Sequence, residues 1–184
     1  MVDRTDLHTK HMRADAFLRL SETLIPTELI NGVVIVSPSP EIRHQDVSSN
    51  TNDILKRLIP NGKVYYAPMD VRFDAQNVVQ PDLFWVSEHG NCQRIEGKYF
   101  AGPPELIVEI LSPSTARRDY ETKFALYEQY GVREYWIIDL DSNSVAVWSL
   151  NGEEFREVGR FGEGDTFHSP LLTSEILINE IFTE

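Results

Sequence analysis

An acidic side chain stands where the sequence has little room for one. Pro103-Pro104-Glu105-Leu106-Ile107-Val108-Glu109-Ile110-Leu111-Ser112-Pro113 is apolar, β-rich and bounded by Pro and Ser. It reads as a strand near a core, with Glu109 inside it. A carboxylate among such neighbours costs several kcal/mol unless something pairs with it. A second run, Val78-Val79-Gln80-Pro81-Asp82-Leu83-Phe84-Trp85-Val86, carries Asp82 behind a proline. If the two runs pair side by side, the carboxylates converge, and at ~4 Å they repel by about 4 kcal/mol at an effective dielectric of ~20. A divalent cation turns that repulsion into attraction, and Mg²⁺ suits one or two carboxylates completed by water and phosphate. Lys123, on the helix expected after the Glu109 strand, could orient or deprotonate an attacking water or stabilise charge on phosphorus.

Each residue also has a plainer reading. Lys123 lies four residues after Asp119, so the two could form a simple helix pair. Glu109 could meet an arginine such as Arg133 or Arg72. Asp82 could cap a strand. His44, at the start of an expected helix, could be a metal ligand, a phosphate contact, a proton carrier or a surface residue. Glu28 could bridge into the same cleft or cap an edge. Two carboxylates could also serve a glycosidase, but Lys123 would then have no role. The sequence has no Gly-rich phosphate loop, no Cys/His metal spacing, no His-Glu-x-x-His helix and no Gly-x-Ser-x-Gly elbow.

The elements that must position these residues can be read from the pattern. A helix is expected over residues 12–25. Glu28–Ile30 and Val33–Val36 flank Asn31-Gly32, a strong hairpin signal. After Ser37-Pro38-Ser39-Pro40 a helix is expected over Ile42–Leu58, with Val47, Ile54, Leu55 and Leu58 facing inward. Val64–Ala67, Met69–Asp74 and Val78–Val86 read as strands, and Ser87–Gly102 as a polar loop. Strand Glu105–Leu111 is followed by Ser112-Pro113-Ser114-Thr115, which can cap a helix. That helix runs to about Tyr130, with Gly131 stopping it and Tyr120, Phe124 and Tyr127 on one packing face. Arg133–Leu140 then returns in parallel. The tail gives strands around Asn151-Gly152, a loop over Gly159–Gly164, and an apolar-acidic end whose type the pattern leaves open. Alternation puts Glu109 on the face of Ile107 and Leu111, opposite Leu106, Val108 and Ile110. The fold class is mixed α/β (α+β), a central mixed sheet flanked by helices with extra hairpins toward both ends, and residues 1–184 read as a single domain.

Composition sets bounds. Hydrophobic residues make up 41% and charged residues 25% of 184, as in ordinary globular proteins. No stretch is long and apolar enough to span a membrane, and the first residues lack a signal-like core, so a cytoplasmic location is expected. One cysteine, Cys92, allows no internal disulfide and fits a reducing compartment. The formal net charge of −12 argues against a broad basic face for nucleic acid. Ile176, Leu177, Ile178, Ile181 and Phe182 suggest a surface for a twin subunit, so a homodimer is expected.

The ordered series resembles the bacterial family described as putative restriction endonucleases, within the PD-(D/E)XK, restriction-endonuclease-like nuclease superfamily. The resemblance rests on Glu28-Leu29-Ile30-Asn31-Gly32, Pro38 with His44, Gln80-Pro81-Asp82, Gly102 through Thr115, Asp119 with Lys123, Tyr127, and Gly131 through Asp139. It implies a four-stranded mixed sheet core between helices and a DNA endonuclease that uses Mg²⁺ (or Mn²⁺). Asp82 and Glu109 would be the metal ligands. One position departs from the superfamily pattern: the lysine two residues after the glutamate is Leu111. The resemblance implies that Lys123 supplies the amine, with His44, Glu28 and Asp119 as further site residues. The alternative is a catalytically degenerate module of the same fold that binds protein or nucleic acid without cutting.

Overall fold

A computed structural model describes residues 11–20, 26–112 and 116–183. The short helix α1 (Ala14–Phe17) precedes the hairpin β1 (Thr27–Ile30) and β2 (Val33–Val36). Asn31 and Gly32 take φ of 52° and 78°, the left-handed pair that a two-residue turn requires. Helix α2 spans Ile42–Leu58 and is followed by β3 (Lys63–Tyr66), β4 (Val71–Arg72), β5 (Val78–Val79) and β6 (Leu83–Val86). Next come β7 (Gln93–Ile95), β8 (Tyr99–Ala101) and β9 (Leu106–Ile110). A π-helical segment, Arg118–Lys123, runs directly into α3 (Phe124–Tyr130), and β10 (Glu134–Asp139) follows. The chain ends with β11 (Ser144–Asn151), β12 (Glu154–Phe161), β13 (Thr166–Ser169), β14 (Ser174–Leu177) and α4 (Ile178–Ile181).

Two six-stranded sheets organise the molecule. The central one has the order β12-β11-β10-β9-β6-β3, and the second has β2-β1-β5-β4-β8-β7. In the central sheet β9 and β10 are parallel, joined by the α3 crossover, while β6 and β9 are antiparallel. Leu106, Val108 and Ile110 of β9 pack with Val47, Ile54 and Leu55 of α2. Ile107 and Leu111 pack on the other side with Leu126 and Tyr127 of α3 and with Ile30, Val71 and Val79 of the second sheet. Glu109 therefore points into the layer between the sheets. Alternation along β1 turns Glu28 toward that same layer, on the face of Ile30. At Gly131 the chain takes φ 81°, and Val132 N–H reaches back to Tyr127 O, a glycine stop that turns the chain into β10.

The mixed α+β class, the first hairpin, α2, its inner face and the parallel crossover match expectation. Several details differ. Among the described residues of 12–25 only Ala14–Phe17 is α-helical; residues 21–25 lie outside the described residues, as does the expected cap at Pro113–Thr115. Val78–Val86 is not one strand. Pro81, which has no N–H to give a ladder, lies where the chain passes from the second sheet (β5) to the central one (β6). The expected loop 87–102 holds the β7–β8 hairpin, closed by Glu96 and Gly97 at φ 50° and 71°. Its strands are three residues each, too short to show an alternation. β12 extends to Phe161, into the expected 159–164 loop. Cys92 is buried rather than looped into solvent, and burial pushes its thiol up to about 12. Of the five tail residues, Ile176, Ile178 and Ile181 are buried against this chain's own core, whereas Leu177 is exposed and Phe182 is partly buried.

Candidate active site

The β6–β9 register sets the site. Leu83 pairs with Val108 and Phe84 with Ile107, so one step further Asp82 falls beside Glu109. Asp82 Oδ2 accepts the Ile110 N–H at 2.7 Å, and His44 Nε2, from the first turn of α2, lies 3.3 Å from the same oxygen. Glu109 Oε1 accepts from Lys123 Nζ at 2.8 Å and from the Tyr127 hydroxyl at 2.6 Å. Lys123 Nζ also lies 2.8 Å from Glu28 Oε1 and 3.7 Å from Asp119 Oδ1. Gln80 bridges outward: its N–H donates to Glu28 Oε1 and its side-chain amide to Asp70. Arg118 donates to Ser37 Oγ and stands 3.6 Å from Glu28 Oε2. Asp82, Glu109, Lys123, His44, Glu28 and Asp119 all line one cleft of about 570 Å³.

Lys123 thus ties strand β1 of one sheet to strand β9 of the other. It departs from the strand-borne lysine of the superfamily pattern, because Leu111 is buried in the apolar layer on Glu109's own face. The π-helical segment brings Lys123 to that face instead, along with Asp119. π turns are rare and concentrate at functional sites. Glu109 has neither of the arginine partners considered from sequence. Arg72 pairs with Asp15 at 2.8 Å, and Arg133 is exposed. The Asp119–Lys123 pair exists, but as one edge of a larger cluster. Tyr127, read as packing, and Gln80, read only as part of a motif, prove to be polar partners of the site. The sequence signal for Gln80 was its place directly before Pro81-Asp82; Tyr127 carried none beyond helical spacing.

Charge in this cluster is unbalanced. Four carboxyl groups (Glu28, Asp82, Glu109, Asp119) face two permanent cations, Lys123 and Arg118, so the acids outnumber the cations whether or not Glu109 holds a proton. Burial pushes the Glu109 carboxyl up to about 8 against the opposing Lys123 ammonium, with Asp119, Asp82 and Glu28 adding to the rise. Lys123 is raised as well, and there the cause is charge rather than burial. Burial disfavours its charge, yet Glu109, Glu28 and Asp119 hold its pKa well above the usual lysine range. Burial also works to lower His44, but its contact with Asp82 raises it. Among the described residues no three His, Cys, Asp or Glu side chains converge into a complete metal cage. Two neighbouring carboxylates in a cluster with excess negative charge fit a hard cation that takes its remaining ligands from water and phosphate.

Comparison with known proteins agrees with the architecture. The family model described as Uma2, "Putative restriction endonuclease", matches residues 14–179. A solved structure of a putative nuclease from Anabaena variabilis ATCC 29413 superposes with a TM-score of 0.77 at 21% identity, covering 94% of this chain and 98% of that one. No curated protein matches the chain.

Proposed function

The chain belongs to the Uma2 family of restriction-endonuclease-like proteins, and from that premise we propose that it is a divalent-cation-dependent nuclease hydrolysing DNA phosphodiester bonds. The observation that carries this reading is the meeting of Asp82 and Glu109 on adjacent strands with Lys123 delivered into the same cleft. Asp82 and Glu109 would hold Mg²⁺ or Mn²⁺. A cation so bound lowers the pKa of water and neutralises charge on the phosphoryl oxygens.

The chain's own residues divide the remaining work. Lys123 is held cationic by three carboxylates, so it acts by stabilising negative charge on the pentavalent phosphorus rather than as a base. Glu28 and Tyr127 fix where that ammonium and the Glu109 carboxylate sit. Asp82 is oriented by the Ile110 N–H, and His44 beside it is placed to carry a proton.

The test is cleavage of single-stranded and duplex DNA by purified protein with Mg²⁺ or Mn²⁺. Asp82→Asn and Glu109→Gln should abolish cleavage, and Lys123→Gln should lower kcat by about 10²–10³-fold. Protein that takes up no divalent cation in calorimetry and leaves all DNA intact would favour the non-cutting binding module instead.

A further inference from the structure

We propose that the cleft is built for a short stretch of single-stranded DNA rather than for a duplex, an inference that rests on the nuclease reading above. Its first basis is size. A cavity of about 570 Å³ lies in the range that encloses one small ligand, ~300–1,000 Å³, the scale of about one or two nucleotides.

The second basis is charge. A protein that grips a duplex neutralises about 6–10 phosphates with surface Lys and Arg. Among the described residues lining this cleft, Lys123 and Arg118 are both turned inward onto carboxylates, with side chains only 3% and 17% exposed. Arg43 is the lining cation that reaches solvent, and exposed Glu41 and Asp141 share the same cleft. Such a mouth offers a phosphate foothold at one point and repels the flanking phosphates of a second strand.

The third basis is where apolar surface is left in water. The two most exposed large hydrophobic side chains among the described residues are Ile42, at 83%, and Tyr66, at 58%. Ile42 lies between Glu41 and Arg43, both cleft residues. Tyr66 pairs across the strands with Leu83, next in the chain to Asp82, and alternation puts it on the face of Val64, the face that packs on α2. Like Ile42, Tyr66 is a chain neighbour of a cleft residue, Ala67. At such a margin an exposed aromatic ring can stack on an unpaired base, whose face a duplex hides, and Ile42 can add apolar contact.

The experiment compares a short labelled single strand with a duplex of the same sequence. Binding is read by fluorescence anisotropy between about 50 and 200 mM salt, and cleavage with Mg²⁺ or Mn²⁺. The single strand should bind at least about tenfold tighter. Its log–log salt slope should be about −0.7 to −1.4, one or two phosphates at ~0.7 each. Tyr66→Ala should weaken single-strand binding by about five- to 150-fold, with Ile42→Ser acting in the same direction and duplex binding unmoved by either. A duplex bound as tightly, a steep slope, no binding of either form, or no effect of both substitutions overturns the proposal. Preferential cutting of duplex sinks it while leaving the nuclease reading intact. Single-strand binding as described without any cutting sinks the nuclease reading alone.

Discussion

At the scale of single residues, the question is why the fold keeps a buried ammonium between two carboxylates. Each 2.8 Å contact of Lys123 is worth about 6 kcal/mol of attraction at an effective dielectric of ~20. Burying three ions costs several kcal/mol apiece, and the carboxylates also repel one another, so the cluster comes out near break-even. Well-packed apolar side chains would stabilise the same volume better. The cluster therefore makes sense by what it presents to the cleft. Breaking it is a different matter. Lys123→Met leaves Glu109 without its cation and Glu28 with Arg118 alone, and should lower stability by about 3–5 kcal/mol in urea unfolding. Adding Glu109→Gln to Lys123→Met should return part of that loss, because a neutral amide no longer needs the ammonium. A double variant as unstable as the single one would show that Lys123 matters for packing and not for charge.

At the scale of elements, α3 is fastened to the second sheet by a polar tie at its last turn. The Tyr130 hydroxyl donates to Asp74, which follows β4. Burial works to raise the Asp74 carboxyl, but the bonds from Tyr130, the Gln76 N–H and Asn77 prevail and hold it below the ordinary aspartate range. An acid with a depressed folded pKa contributes stability that is present above its unfolded value, near 3.8, and is lost as pH falls through the folded value. Tyr130→Phe removes one of those bonds, so its acid-unfolding midpoint should move to higher pH while the neutral-pH fold is kept; an unchanged midpoint would show that the tie is idle. Elements of this kind also mark what the sequence could reveal. Asn31-Gly32, the apolar face of α2 and the glycine stop at Gly131 are local signals and were legible. Asp82, Glu109 and Lys123 were legible because a charge in or beside an apolar run demands an explanation. The β5–β6 break was not, since alternation reads straight through Val78–Val86 and only the exchange of partners at Pro81 divides it. Nor was Tyr127's bond to Glu109, because helical spacing reports a face and not what lies on it.

At the scale of the whole molecule, the C-terminal segment closes the α2 side of the central sheet. Ile178 and Ile181 of α4 are fully buried in the layer that holds Val47, Leu55, Trp136 and Phe167. The Asn50 side chain on α2 donates to the Ile181 and Thr183 carbonyls, and Arg57 pairs with Glu180. β13 and β14 are joined to the sheet through Glu134, whose carboxylate accepts from Ser169 Oγ and the Leu171 N–H. An apolar tail reserved for a twin subunit would leave these side chains exposed in one chain, whereas here the same chain covers them. Two outcomes follow for Ile181→Ala. Its stability should fall by about 2–5 kcal/mol, the cost of an aliphatic-to-alanine cavity in a packed core. Its mass by light scattering should equal that of the unaltered chain. A variant that keeps its stability but changes mass would return the tail to the role of a subunit contact. Because α2 carries His44 at its far end, any slackening of the α2–α4 packing should also reach the cleft, as a lower kcat in a variant whose catalytic side chains are all intact.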